Sequence, residues 1–197
     1  MKIDFDVDID MANREDLLKV IAVTPASIVN SEGEYTKHNT GVYFQKIPHF
    51  PLEGYSTIDH KQAAEDGWFK VDLLNNMVYK NVRDPAHLAQ LVAQEPQWEL
   101  LAHEEIVRNL YHINQHYDIV QQYKPCTVPQ LAMVLAMIRP AKRHLVGRSW
   151  SEVEAEVWAK PTDDSYYFKK SHAHAFAMVI VVQLNLLCEQ SIPSGAH

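Results

Sequence analysis

Apolar and acidic residues alternate at the start of the chain. In "MKIDFDVDID", Ile3, Phe5, Val7 and Ile9 interleave with Asp4, Asp6, Asp8 and Asp10. A period of two predicts a strand over residues 2–10 with one apolar and one acidic face. Asn13 reads as the cap of a short helix to Val20, with Leu17, Leu18 and Ile21 as its stripe. "SEGE" at 31–34 reads as a turn. "GVYFQKI" at 41–47 reads as a strand ended by Pro48 and Pro51, and "GWFKVDLLNNMVY" at 67–79 as a strand running into a helix.

Beyond residue 80 the period changes to that of helices. Asp84-Pro85 opens one. A second is expected over residues 102–122. A third follows Thr127 and Pro129, with Leu131, Val134, Leu135 and Ile138 on its apolar face and Pro140 as its stop. Ser149 and Glu152 form a capping-box pattern. The last long helix is expected from near Ser171 to about Glu189. The fold class predicted is therefore α+β, with a mixed part at 1–80 and a helical part at 81–197.

Charge changes this picture. The net charge is −7, and residues 1–110 hold 10 Lys/Arg against 18 Asp/Glu, whereas residues 111–197 hold 8 against 7. An acidic chain is a poor stand-alone binder of nucleic acid, because phosphate contacts supply most non-specific affinity. Cys126 and Cys188 form no CxxC pattern, which points to a reducing compartment, and a cytoplasmic location is expected. The most apolar run, residues 173–187, contains His174, Gln183 and Asn185 and reads as too short and too polar for a membrane span.

The acidic row has two readings. It is either the charged face of a protected edge strand or part of a site for a hard divalent cation. Asp72, alone among Val71, Leu73 and Leu74, either caps the following helix or joins Asp6 and Asp8 in a two-metal site. "IRPAKRHLVGR" at 138–148 is either a solvated loop or a grip for phosphates. Lys169 and Lys170, ahead of a helix start, either decorate an exposed end or form an anion site. His112 and His116, four apart on the expected helix, read as ordinary surface or core histidines, with no third zinc ligand in sight.

Six stretches, taken in order, resemble the polymerase core of the bacterial C-family replicative DNA polymerase, the DNA polymerase III alpha subunit. "IDFDVDIDMANREDLLKVI" resembles the palm motif PDFDIDFCxxxRDxVIxYV, and "KHNTGVYFQKIP" resembles KHAGGVVIAP. "EDGWFKVDLLNNMVY" is similar to AGLVKFDFLGLKTLT, and "EPQWELLAHEEIVRNLYHI" to the segment ending TxGVFQLES. "KPCTVPQLAMVLAMIRPAK" is similar to KPxxFxDLVALxALYRPGP, and "YYFKKSHAHAFAMV" to YGFNKSHAAAYALV. Within these stretches "RPGP" reads "RPAK" here and "FDFLGL" reads "VDLLNN".

The resemblance implies a reduced palm-and-fingers nucleotidyltransferase of DNA replication, in a compact form such as a phage carries. It implies that Asp6, Asp8 and Asp72 are the catalytic carboxylates and hold two Mg²⁺, for which Mn²⁺ can substitute. It implies that Arg139, Lys142, Arg143, Lys170 and His172 belong to the nucleotide-binding part. The expected partners are a deoxynucleoside triphosphate, primer-template DNA and other replication subunits, with no membrane. Two further readings stand beside it: a catalytically inactive relic that serves as a structural or nucleotide-binding component of a replication complex, and an unrelated Mg²⁺-dependent nuclease.

Overall fold

A computed structural model describes residues 7–163 and 165–191. Asp4 and Asp6 therefore lie outside the described residues. The chain divides into two units, Met1–Asn81 and Val82–His197, close to the boundary expected at residue 80.

The first unit is a four-stranded mixed sheet with two short helices. Strand β1 (Val7–Met11) leads through helix α1 (Arg14–Leu18) to an antiparallel pair, β2 (Thr24–Val29) and β3 (Tyr35–Tyr43). Helix α2 (His60–Glu65) then leads to β4 (Lys70–Asn75), and the sheet order is β1-β4-β3-β2. β4 is interior, parallel to β1 and antiparallel to β3. One face packs Val42, Val71 and Leu73 against Met11, Leu17, Leu18 and Val23. The other packs Ala26, Tyr43, Ile47 and Ala63 with Ile58 and Trp68.

Local chemistry explains the helix starts. Asn13 accepts from the Glu15 N–H, as its capping role predicts. β2 is an addition to the expected strands. Pro25 and the small residues around it weaken its strand signal, but an edge strand tolerates a proline. β3 begins six residues before the expected strand and ends at Tyr43 rather than Ile47. After β4 the chain makes a 3-10 turn, Met77–Asn81, in place of the expected helix. Asn76 starts that turn by accepting from the Val78 N–H, so Asp72 is a mid-strand residue and no cap.

The second unit is helical. Asp84 caps helix α3 (Pro85–Ala93) by accepting from the His87 N–H at 2.8 Å. The single helix expected over 102–122 is instead two, α4 (Glu104–Val107) and α5 (Tyr117–Tyr123). α4 already ends at Val107, and His112, in the link to α5, has a left-handed φ of 62° that no α-helix accommodates. His112 and His116 therefore share no helix face. Thr127 caps α6 (Val128–Met137) and Pro140 follows its end. Helix α7 (Trp150–Glu156) carries the capping-box bond from the Ser149 N–H to Glu152, at 2.9 Å. Helix α8 (Lys170–Ser191) closes the unit.

Every residue of α6 from Leu131 to Met137 is buried, the pattern of a helix enclosed on all sides. It packs on α8, which also meets α3. α8 is 22 residues long, beyond the apolar run read from the sequence. Among the described residues it is the one helix long and apolar enough, by length and composition alone, to cross a membrane. Half of that apolar stretch is buried within the protein.

Candidate functional site

The register of the sheet sets Asp72 at its centre. Asp8 is its partner on one side, across the parallel β1–β4 pair, and Gly41 is its partner on the other. Paired residues on neighbouring strands point to the same face, and the strands lie about 4.8 Å apart. Asp8 and Asp72 are thus adjacent carboxylates on one face. Asp8 is exposed, whereas Asp72 is only 8% exposed.

Burial of a lone carboxylate is costly, and its neighbours offset it. The Lys70 ammonium donates to Asp72 Oδ2 from the same strand face, two residues earlier. The Thr40 hydroxyl donates to Asp72 Oδ1 at 2.7 Å. Burial pushes the Asp72 pKa up, but these two bonds and the Lys70 charge outweigh it and hold it below the ordinary carboxylate value. The stabilisation from this depressed pKa is present above the unfolded carboxylate range. It is lost as pH falls through the folded value.

Thr40 reaches Asp72 because β3 is irregular. Pro25 pairs with Val42 and Ser27 with Lys37, so Ala26 alone faces residues 38–41. His38 closes this bulge, its Nδ1 accepting from the Thr40 N–H at 3.2 Å and the Gly41 N–H at 2.9 Å. A nitrogen that accepts carries no proton, so His38 is neutral here. Its Nδ1 lies 3.8 Å from Asp72 Oδ1 without forming an ion pair. Burial, then the nearby Lys70 charge, lowers the His38 pKa accordingly. Gly41 leaves room for Lys70: a Cβ there would stand 2.8 Å from Lys70 Cδ and 3.1 Å from His38 Nδ1.

Asp10 is differently placed. It pairs with Leu74, two residues along, and accepts from Asn76 Nδ2 at 3.4 Å. Burial raises its pKa despite that bond.

The pair Asp8 and Asp72 suits a hard divalent cation in donor type, and the Lys70 ammonium already occupies a cation's place on Asp72 Oδ2. Among the described residues no group of three His, Cys, Asp or Glu gathers as a metal site. The third expected ligand, Asp6, lies outside the described residues.

The second unit treats its cations unevenly. Lys142 is 4% exposed and donates to the Glu156 carbonyl at 2.8 Å. Arg139 lies with its Cζ 3.8 Å from the Phe168 ring centroid, and its Nε and Nη2 are buried with no hydrogen-bond partner. Arg143 Nη1 is 3.5 Å from the Ile138 carbonyl. Lys170 starts α8 with its ammonium 6.0 Å from the centre of the Trp158 ring, and His172 follows in the first turn. The sequence marks these residues as cations; it carries no sign that Lys142 turns inward. Lys70 and Thr40 are functional neighbours that sequence reasoning missed. Lys70 had a readable signal, since residues i and i+2 of a strand share a face.

His112 sits beside Arg139, with ring contacts to Tyr111, Phe168 and Phe176 at 4.1, 5.9 and 4.4 Å. Burial, then the Arg139 charge, pushes its pKa from 6.5 to about 4. Between those values the unfolded chain takes up a proton that the folded chain refuses, so stability falls as pH drops from 6.5 to about 4. The full shift corresponds to about 3 kcal/mol, reduced to about 1–2 kcal/mol by partial solvent exposure. Urea denaturation at pH 7 and pH 4.5 checks this. The His112→Gln variant is expected to lose less stability across that interval than the parent, and an equal loss refutes the assignment.

Comparison with protein-family models, with curated proteins and with solved structures gave no match to this chain.

Proposed function

We propose that this chain is a reduced nucleotidyltransferase core of the C-family replicative polymerase type, acting in the cytoplasm and dependent on partner subunits for template and primer. The observation that carries the reading is the register of Asp8 opposite Asp72 on adjacent parallel strands. That is the juxtaposition which the resemblance requires of two palm carboxylates, and it joins residues 64 positions apart.

Asp8 and Asp72 would hold Mg²⁺ or Mn²⁺, with Asp6 as the third acid of the resemblance. When bound, the ions supply activation of a primer 3′-hydroxyl and neutralisation of triphosphate charge. Lys70 and Thr40 keep Asp72 ionised and oriented before any ion arrives. Arg139, Lys142, Arg143, Lys170 and His172 are the nucleotide-binding residues by resemblance. Lys142 would first have to release the Glu156 carbonyl.

Partner dependence follows from the net charge of −7, which opposes approach to DNA. It follows also from the inward commitment of Lys142 and the stacking of Arg139 on Phe168. A primer-extension assay at low salt with Mn²⁺, beside an Asp8→Ala control and a measurement of labelled deoxynucleotide binding, tests the proposal. The expected result is Mn²⁺-dependent nucleotide binding that Asp8→Ala removes, with little or no extension by the chain alone. Robust extension that vanishes in Asp8→Ala would remove the need for partners. Nucleotide binding equal in both proteins would overturn the proposed site.

The Lys70 ammonium on Asp72 favours a second reading, the inactive relic in a replication complex, because a built-in cation competes with a metal. A folded wild-type chain that binds no Mn²⁺ would decide for it.

A further inference from the structure

Arg14 is the first residue of α1 and is 8% exposed, unusual for a residue type that is rarely buried without a partner. Its guanidinium reaches across to the β3 bulge, where Nη1 donates to the Asn39 carbonyl. Its backbone N–H donates to Asn75 Oδ1 at 2.6 Å, at the end of β4. Nε and Nη2 are buried with no partner. Arg14 therefore ties three segments together at one point: the start of α1, the end of β4 and the bulge of β3.

The tied carbonyl belongs to Asn39, between His38 and Thr40. His38 accepts the two N–H groups that shape the bulge, and Thr40 delivers its hydroxyl to Asp72. Asn39 itself is exposed, so its side chain supplies no burial to hold this conformation. The carbonyl tie supplies it instead.

We propose that Arg14 is a positioning residue for the Asp8–Asp72 carboxylate pair. It acts through the Asn39 carbonyl to hold the β3 bulge so that the Thr40 hydroxyl stays on Asp72 Oδ1. The significance of the pair for metal binding rests on the function proposed above; the positioning itself does not. The long side chain suits the task, because it carries a permanently charged donor from the start of α1 to the Asn39 carbonyl. Two of its buried nitrogens have no partner and carry a desolvation cost.

The test uses the full chain in four forms besides the parent: Arg14→Met, Arg14→Lys, Thr40→Val and the double Arg14→Met/Thr40→Val. One readout is the amide resonances of Thr40 and Gly41 with the ¹⁵N shift of His38 Nδ1. The other is Mn²⁺ affinity by electron paramagnetic resonance titration. Arg14→Met is expected to move all three resonances while the Val42 and Leu73 methyl signals stay in place, and to weaken Mn²⁺ about tenfold, as loss of an outer-shell partner does. Arg14→Lys, which still donates, is expected to restore most of both. The double variant is expected to bind no more weakly than Thr40→Val, because residues acting through one bond are not additive.

Unmoved bulge resonances in folded Arg14→Met, or a double variant whose loss is the sum of the single losses, would overturn the proposal. Should Arg14→Met fail to fold, Asn75→Ala takes its place. There Asn75→Ala is paired with Arg14→Gln, which shortens the side chain so that it no longer reaches the Asn39 carbonyl, and unmoved Thr40 and Gly41 resonances in folded Arg14→Gln overturn the proposal equally. Absent Mn²⁺ binding in the parent defeats the metal reading alone, and the resonances then still decide the role of Arg14.

Discussion

Asp8→Asn and Asp72→Asn are each expected to abolish saturable Mn²⁺ binding, whereas Asp10→Asn is expected to leave it intact. Net charge changes by the same amount in each variant, so position alone separates them. Asp8 and Asp72 are register partners across β1 and β4. Asp10 lies two residues along, about 6.6 Å away, and its carboxylate accepts from Asn76. A hard cation needs convergent oxygens at short range, so losing either member of the pair is expected to cost more than the about 10–100-fold of an outer-shell change. Electron paramagnetic resonance titration of the folded variants measures this. Equal losses from all three would reduce the site to diffuse charge.

Asn185→Ala is expected to destabilise the helical unit by about 2–3 kcal/mol, and Asn185→Asp by more. Asn185 is fully buried on α8, and its Nδ2 donates to the carbonyls of Leu91 and Gln94 at 2.8 and 2.9 Å. Those carbonyls end α3, where no intrahelical donor remains. Alanine strands both; aspartate also turns a buried negative charge towards them. The Oδ1 atom has no partner, so part of the loss is returned when the amide goes. Chemical denaturation gives the magnitude, and faster amide exchange in the last turn of α3 would localise it. A variant as stable as the parent would show that α3 docks on α8 without help from this amide, through its apolar contacts and the His87–Glu189 pair.

What could be read from the chain was what is local. Asn13, Asp84 and Thr127 cap helices because a cap depends on a side chain and an amide two or three residues away. The alternation around Asp8 likewise needs only neighbouring residues. β2 escaped because Pro25 hides an edge strand, and the helix expected over 102–122 stops at Val107 before a link whose His112 is left-handed, a conformation that no local pattern marks. Within the candidate site, the register of Asp8 opposite Asp72 is what the pattern and the resemblance together lead one to expect. Thr40 was not to be expected from them, because only the bulge brings a residue one place from Gly41 onto Asp72. The inward turn of Lys142 is likewise invisible to spacing, since an exposed and a buried lysine are spelled alike.

The parallel pairing of β1 with β4 has a consequence in time. Its partners are separated by the whole of β2, β3 and α2, so closing them carries the entropy of a loop of about sixty residues. The β2–β3 hairpin closes far sooner, and β4 can add to it before β1 arrives. On a chain emerging from the ribosome, the first strand thus waits for more than sixty residues of synthesis before it finds its partner. The acidic pair comes into being only at that last closure, so a truncated or stalled nascent chain carries the aspartates of β1 without the site.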